Sequence, residues 1–330
     1  MDNSSYSDIR LESVSCPLCE NSSDDTVLKG HDRLHNLPGE FTVVRCQKCG
    51  LMRTNPRPVP ETIGFYYPED YGPYLSTTVS QEETSQNLDN TPRFKKMIKE
   101  LLKPIYRKLV QFNTTPVPSL PPGRMLEVGC ASGSYLHIMA QQGWQVEGIE
   151  YSSIAADRVR TLGYKVHVGP LETAPDPDKP FDLIVGWMVL EHLHDPLGSL
   201  KKMRQWARPG TRLVLSVPNA GSAEFSFFKS RWYALQLPNH LYHFTPATMK
   251  KMLNAAGWEV ERIYHQRILS NLIASLGYFF SDHNFTRLGQ KLINFPEHPG
   301  KYGHLFLYPL AWLLSKFAQT GRMVVWARIK

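Results

Sequence analysis

The chain has 330 residues, of which 42% are hydrophobic and 20% charged, and its formal net charge is +7. This composition is ordinary for a globular protein, and the length allows one large domain with a smaller one beside it. The segment Met1 to Asp8 has neither the basic nor the apolar region of a secretory signal. These features argue against a secreted protein, and we expect a cytoplasmic one.

Four of the five cysteines form two Cys-x-x-Cys pairs, Cys16 with Cys19 and Cys46 with Cys49. In a reducing compartment such pairs favour a metal site over disulfides. Two pairs at this spacing can supply four thiolates to a tetrahedral Zn²⁺, and a closed site of this kind is structural because no position is left for substrate. The sequence therefore predicts a small zinc-ribbon-like module over residues 1–53, with iron–sulfur ligation as the alternative.

The segment 54–90 is rich in Pro, Ser, Thr and Gln, which predicts a linker. Apolar residues at helical spacing then predict a helix over Thr91–Phe112, with a kink at Pro104. Seven Lys and Arg against one Glu give this helix a charge of +6. Such a face is commonly solvated, although it could also meet phosphate, an anionic membrane or an acidic substrate. No motif supports nucleic acid, and we expect none as a partner.

From Gly123 onward, strands and helices alternate, which predicts a parallel sheet with helices on both faces. The predicted strands are Arg124–Gly129, Gln145–Glu150, Val166–Gly169, Phe181–Met188, Arg212–Val217, Trp258–Tyr264 and Arg322–Ile329. The predicted helices are Ser134–Gln142, Ser153–Leu162, Pro196–Ala207 and Pro246–Ala256. Thr245 is the predicted cap of the last helix. The predicted fold is thus α/β, a Rossmann-like, mostly parallel seven-stranded sheet over residues 91–330, with the small zinc ribbon at the N-terminus.

An extra segment, residues 265–321, interrupts this pattern. It contains two apolar stretches, Ile268–Phe280 and Leu305–Phe317. Each is shorter than the roughly 18 apolar residues that span a bilayer. We expect either helices that cover the substrate site or a hairpin that lies in a membrane interface.

The turn Glu127-x-Gly129-x-Ala131-x-Gly133 follows the first predicted strand and opens a helix. Small residues at such a turn let a nucleotide-like ligand approach the backbone. The spacing differs from the G-x-G-x-x-G of dinucleotide sites and argues against NAD. The turn resembles the first motif of class I S-adenosylmethionine-dependent methyltransferases, acidic-x-Gly-x-Gly-x-Gly, from which Ala131 departs.

That resemblance implies a cofactor and a set of residues that bind it. Glu150, at the end of the second strand, would accept hydrogen bonds from the two ribose hydroxyls. Tyr151 and Leu171 would flank the adenine, and Trp187 would border the methionine portion. The loop itself contributes Glu127, Gly129, Cys130, Ala131 and Gly133.

The segment Phe181–Pro196 is similar to the fourth-strand motif of the same class and includes its Leu-Glu-His. In related ubiquinone-pathway O-methyltransferases, a Glu-x-x-Glu-His group can hold a divalent cation. Met188 stands at the first Glu position here, which argues against a catalytic Mg²⁺. We therefore expect a structural or orienting role for Glu191 and His192.

The segment Arg231–Pro246 resembles a signature of bacterial methyltransferases that are encoded with glycan and lipid pathways. Asn239 stands where that signature has Arg, and Gln236 where an Asp is common, but His240 is at its expected place. Methyl transfer is an in-line displacement at a sulfonium, so the enzyme mainly aligns the acceptor and removes the proton of a hydroxyl. Our hypothesis is that His240 is the general base or orients the acceptor, with His243 and His192 as alternatives, and that a structural histidine is the competing explanation.

The resemblance implies methyl transfer to an oxygen of a glycan- or lipid-linked intermediate, at the inner face of the membrane or in the cytoplasm. A zinc ribbon ahead of such a domain also resembles sugar C-methyltransferases, the first alternative. The second is a non-catalytic binding protein that keeps the fold. The sequence leaves the acceptor, the methylated atom and the oligomeric state open.

Overall fold

The structure, a computed structural model, describes residues 8–68, 119–299 and 303–329. The predicted basic helix Thr91–Phe112 and most of the predicted linker 54–90 lie outside these residues. The division into a module, a linker and a main domain stays a prediction.

The N-terminal part is built from short antiparallel strands. Strands β2 (Asp24–Gly30), β3 (Phe41–Cys46) and β4 (Met52–Thr54) form one sheet, and β1 (Leu11–Glu12) pairs with β5 (Arg57–Pro58). A short 3-10 helix, Ile63–Tyr66, follows. The first residues of the predicted linker are therefore folded, because Arg57 and Pro58 are buried against the rest of the chain.

The remaining elements alternate as the sequence predicts. In chain order they are β6 (Arg124–Val128), α1 (Ser134–Gln141), β7 (Gln145–Glu150), α2 (Ser153–Thr161), β8 (Lys165–Val168), β9 (Phe181–Trp187), α3 (Pro196–Gln205), β10 (Ala207–Pro218), α4 (Ala223–Phe228), β11 (Tyr242–His243), α5 (Pro246–Ala255), β12 (Trp258–His265), α6 (Ser270–Asp282), α7 (Thr286–Ile293), α8 (Gly303–Lys316) and β13 (Arg322–Ile329).

Seven of these strands form the main sheet in the order β12-β13-β10-β9-β6-β7-β8. Strand β13 runs antiparallel to both of its neighbours, and the other pairs are parallel. The predicted mostly parallel, seven-stranded sheet is confirmed. Because β6, β7 and β9 are parallel neighbours, their carboxyl ends meet at one edge of the sheet, where such folds bind ligands.

Both faces of the sheet are buried, as the central strand β9 shows. Ile184 packs in a cluster with Leu200 of α3 and Met252 of α5. Its neighbours Leu183 and Val185 point the other way and pack with residues of α1 and α2. This alternation is typical of a strand with helices above and below it.

The start of α5 follows the sequence prediction, because Thr245 caps it in a capping box with Thr248. Asp195, which was not predicted as a cap, caps α3, where it accepts from the backbone N–H of Gly198. Strand β10 begins at Ala207 and not at the predicted Arg212, because Ala207 already pairs with Phe181 before a register shift.

The N-terminal strands share contacts with the main domain. Strand β11 comes from the main domain but pairs with β4, so it completes a four-stranded sheet with β2, β3 and β4. Asp282 at the end of α6 accepts from Arg33 at 3.0 Å and from Arg231 at 2.6 Å, an arrangement we call the Asp282 clamp. These contacts hold the module against the segment that carries the candidate histidines.

The described residues of the extra segment form three helices, where the sequence pattern showed two apolar stretches. Helix α6 packs on the 3-10 turn Tyr233–Leu235, and its Ser275 hydroxyl accepts from the backbone N–H of Tyr233 at 2.8 Å. Helix α8, by contrast, buries only Ala311. Within the described ranges, no helix is both long and apolar enough to cross a membrane.

Candidate active site

The loop between β6 and α1 turns sharply at three alternate residues. Gly129, Ala131 and Gly133 have φ angles of +68°, +45° and +81°. A Cβ at Gly129 would lie 2.4 Å from Val189 Cγ2, so only glycine fits there. Ala131 adopts a conformation that favours glycine, and its methyl group is the departure seen in the sequence.

Glu150 at the end of β7 is tied to this loop. Its carboxylate accepts from the backbone N–H groups of Ala131 at 2.8 Å and Ser152 at 2.9 Å. The side chain is 4% exposed, and burial raises the pKa of Glu150 although these amides oppose the rise. Each carboxylate oxygen can accept a second hydrogen bond, so the group can still receive hydroxyls of a ligand.

Glu127 lies below the loop, on β6. Burial and the nearby Glu150 raise its pKa well above the usual value. Its Oε2 atom has no hydrogen-bond partner within the described part of the chain. A buried, unpartnered polar atom at the end of a strand is typical of a position that a ligand completes.

The other residues of the predicted cofactor set differ in what they expose. Tyr151 is 65% exposed, whereas Leu171 is 2% exposed and packs in the core. Trp187 lies edge to face with Tyr135 at 5.2 Å, and its Nε1 finds no acceptor among the described residues. Cys130 is buried, and a Cβ on Gly148 would lie 2.6 Å from its Sγ, so its side chain is packed against β7.

Two of the three candidate histidines meet. The rings of His192 and His240 are 4.6 Å apart, edge to face. Nδ1 of His240 lies 2.9 Å from the carbonyl oxygen of Ala234, and Nδ1 of His192 lies 3.1 Å from that of Asn239. The main-chain carbonyls therefore orient both rings.

Burial keeps these histidines neutral. It lowers the pKa of His192 to about 4 and that of His240 well below its usual value. His243 lies on β11, where its Nε2 contacts Thr54 Oγ1 at 3.3 Å, and burial lowers its pKa to about 3. The contact with Thr54 joins His243 to the module.

Glu191 precedes His192 in the 3-10 helix Leu190–His192 and is fully buried. Burial raises its pKa to about 8. Neither carboxylate oxygen has a hydrogen-bond partner among the residues the structure describes. One potential ligand atom from each of Glu191, His192 and His240 lies within 4.8 Å of the other two.

The four cysteines of the N-terminal pairs also meet. Cys16 Sγ lies 3.3 Å from Cys49 Sγ, and Cys19 Sγ lies 3.5 Å from Cys46 Sγ. Tetrahedral zinc with bonds of about 2.3 Å needs sulfur atoms about 3.8 Å apart. The arrangement fits a zinc ion after a small expansion.

Comparison with known proteins identifies the family. A model of a methyltransferase domain matches residues 86–263. The chain belongs to this methyltransferase family. The match covers more than half of the chain and contains both the glycine loop and the histidine pair.

Curated relatives of this methyltransferase include a probable S-adenosylmethionine-dependent methyltransferase of Mycolicibacterium smegmatis, 30% identical over 46% of this chain and 60% of the relative. A ubiquinone biosynthesis O-methyltransferase of Alkalilimnicola ehrlichii is 31% identical over 34% of this chain and 49% of the relative. The similarity thus spans about half to three fifths of each relative's length. A solved S-adenosylmethionine-dependent methyltransferase from Mesorhizobium loti is 16% identical, with a TM-score of 0.44 over 69% of this chain and 97% of that one.

The contacts that position the histidines in this methyltransferase were missed by the sequence reasoning. Tyr67 Oη lies 2.8 Å from His192 Nδ1, and Thr54 Oγ1 donates to the carbonyl oxygen of His240 at 2.8 Å. Both residues belong to the segment predicted as a linker. The available signal was the run Phe65-Tyr66-Tyr67 in that segment, because large aromatic side chains are usually buried against the rest of a protein.

Proposed function

We propose that this chain transfers the methyl group of S-adenosylmethionine to an oxygen of a glycan- or lipid-linked intermediate. The observation that carries the cofactor assignment is the Glu150 carboxylate, which is fixed beside the Gly129–Gly133 turn at the end of the sheet where ligands of such folds bind. In the bound state Glu150 accepts from the ribose hydroxyls, and the Glu127 side chain faces the methionine portion. Tyr151 and Leu171 border the adenine, and Trp187 borders the sulfonium.

The cofactor supplies the electrophilic methyl group. The acceptor oxygen forms a new C–O bond as the C–S bond of the sulfonium breaks, and S-adenosylhomocysteine leaves. The hydroxyl proton passes to a base, for which the neutral His240 is the candidate. The chain aligns the acceptor for this in-line displacement. We place the acceptor against the His192–His240 pair, where main-chain carbonyls orient both rings.

Two measurements test this function. Calorimetric titration with S-adenosylmethionine separates an enzyme from a binding protein that lacks the cofactor site, and no measurable affinity would refute the assignment. Incubation of the chain and methyl-labelled cofactor with an extract of its source then identifies the product. A methyl carbon bonded to oxygen in the product's NMR spectrum supports the proposal, and one bonded to carbon supports a sugar C-methyltransferase.

Zinc in the four-cysteine cluster is a second part of the proposal. The sulfur distances and the closed donor set support a structural ion that joins the two Cys-x-x-Cys turns. Metal analysis of purified protein should find one zinc per chain, and Cys16→Ser should lose it. Cys130→Ala is the matched control, since Cys130 lies outside the cluster, and zinc well below stoichiometric amounts in the unaltered chain would count against the site.

The exposed apolar side chains of α8 and of Phe317, the residue after it, support a lipid-linked acceptor. Phe306 is 85% exposed, Phe317 68% and Trp312 43%. Large apolar side chains exposed together are typical of an interaction surface. Flotation with anionic and neutral liposomes tests peripheral association with a membrane. Phe306→Ser should reduce liposome binding. Phe227→Ser is the control and should not reduce it, because Phe227 is 76% exposed but lies on α4. Absence of binding to either liposome would rule out this association.

A further inference from the structure

Among the residues that the structure describes, no counter-charge contacts the Glu191 carboxylate. The side chain is fully buried, and both oxygens are without hydrogen-bond partners in the described part of the chain. Arg322 is the nearby cation, but within the described ranges no ion pair joins it to Glu191. An isolated buried carboxylate is costly, and such a group calls for a proton or a bound cation.

The backbone sets the tautomer of one of the two histidines beside it. A carbonyl oxygen only accepts hydrogen bonds, so the contact of His240 Nδ1 with Ala234 places the proton on Nδ1 and leaves a lone pair on Nε2. His192 Nδ1 lies near both the Asn239 carbonyl oxygen and the Tyr67 hydroxyl, which can donate, so either ring nitrogen of a neutral His192 can carry the lone pair. A backbone carbonyl behind an imidazole is also the usual second contact of a histidine that binds a metal.

We propose that Glu191, His192 and His240 bind a divalent cation through one carboxylate oxygen and two imidazole nitrogens. One ring nitrogen of each histidine and one carboxylate oxygen already lie within 4.8 Å of one another. Bonds of about 2.1 Å would bring neighbouring ligand atoms to roughly 3.0–3.4 Å, so these atoms would approach one another by at most about 1.8 Å. The donor set of two nitrogens and one oxygen favours Mn²⁺, Fe²⁺, Co²⁺ or Zn²⁺ over Mg²⁺.

This site differs from the one that the sequence argued against. That argument concerned Met188, which stands where related enzymes have a first Glu. His240, 48 positions beyond His192, is the third ligand here. The folded chain brings the two histidines together through the backbone bond of Leu241 N–H to the Glu191 carbonyl oxygen, 2.8 Å long.

Three protein ligands fill only part of a four- to six-coordinate shell, and an acceptor oxygen would take one of the remaining positions. A cation there would bind the acceptor oxygen and lower the pKa of its hydroxyl, whose proton would pass to water. This role in the reaction rests on the proposed methyl transfer, but binding of the cation does not. In this arrangement His240 acts on the acceptor through the cation and not as the base.

The test uses Mn²⁺ as the probe and the full chain after dialysis against a chelator. Mn²⁺ prefers oxygen and nitrogen ligands, so it distinguishes this site from the four cysteines. Electron paramagnetic resonance of free Mn²⁺ during titration should show one bound ion per chain. Glu191→Gln and His240→Gln should each weaken binding at least about tenfold, as loss of one ligand requires.

Glu224→Gln is the matched control, because Glu224 is also buried with one oxygen unpartnered in the described structure, but it contacts the backbone N–H of Gly321 instead of the histidines. It should bind Mn²⁺ as the unaltered chain does. Circular dichroism verifies that each variant folds. If Glu191→Gln fails to fold, the loss of Mn²⁺ binding is tested with His240→Gln. Binding to the unaltered chain is then tested by a Mn²⁺-dependent rise in its unfolding temperature.

The proposal is overturned if the folded, unaltered chain binds no Mn²⁺. It is also overturned if the folded Glu191→Gln and His240→Gln variants both bind Mn²⁺ as tightly as the unaltered chain does. S-adenosylmethionine titration of the same samples separates the two proposals. Cofactor binding without Mn²⁺ binding removes the cation site alone, and the opposite result removes the methyltransferase assignment alone.

Discussion

Replacement of Glu150 by glutamine tests the cofactor site with the smallest change of shape. The carboxylate accepts from two backbone N–H groups, those of Ala131 and Ser152. Glutamine has one oxygen, so one of these amides would face an NH₂ group and lose its acceptor. A buried N–H without a partner costs about 1–3 kcal/mol, and a hydrogen bond to a charged group contributes about 1.5–3 kcal/mol.

The same change removes the charged acceptor that we propose for the ribose hydroxyls. Loss of one such bond weakens S-adenosylmethionine binding by about 10- to 150-fold, since each 1.4 kcal/mol is a factor of ten. Isothermal titration calorimetry measures this loss, and chemical denaturation measures the stability. Glu147→Gln is the control, because Glu147 is on the same strand but binds Arg124 and Lys165. If folded Glu150→Gln bound the cofactor within about threefold of the unaltered chain, Glu150 would not be a ribose ligand.

Three further changes probe the loop and the clamp. Gly129→Ala should lower the free energy of unfolding by about 1–3 kcal/mol more than Gly163→Ala. Both glycines have positive φ, but only a Cβ at residue 129 clashes with a neighbour. Equal losses of this free energy in chemical denaturation would contradict the expectation. Ala131→Gly should leave that free energy unchanged or raise it by up to about 1 kcal/mol, because glycine relieves the positive φ, and a clear loss would refute strain at this residue. Burial alone would raise the pKa of Asp282, but hydrogen bonds from two arginines outweigh it and hold that pKa below its usual value. The clamp therefore stabilises the fold above the unfolded pKa of about 3.9 and loses this effect as pH falls through the lower folded value. Asp282→Asn should cost about 1 kcal/mol at neutral pH and less at pH 3 or below, and a cost independent of pH would show that charge is not responsible.

Local patterns were sufficient to predict the framework of the cofactor site. The alternation of strand and helix from Arg124 onward, the small residues of the loop and the Thr245 cap each act over a few neighbouring residues. Their structural consequences depend little on the rest of the chain. Glu150 could be placed for the same reason, since it is the last residue of a strand whose apolar pattern is clear.

Contacts between distant segments could not be predicted in this way. Strand β11 has two residues, too few to show alternation, and its partner β4 lies almost 190 positions earlier. That pairing brings Thr54 to the backbone of His240 and to the ring of His243. Helix α7 was missed because it has only eight residues, half of them polar, and lies outside the two apolar stretches.

The histidine pair shows why the chemistry of the acceptor side is harder to infer than that of the cofactor side. A glycine loop can be recognised from its spacing, because the cofactor contacts the backbone. The proposed acceptor site combines Glu191 and His192 after β9 with His240 before β11, and only the fold makes these three residues neighbours. The loss of a carboxylate at Met188 therefore does not decide whether the site holds a cation, since His240 can take the vacant role. In this fold a metal site depends on which ligands meet at the edge of the sheet, and one motif along the chain reports only part of that set.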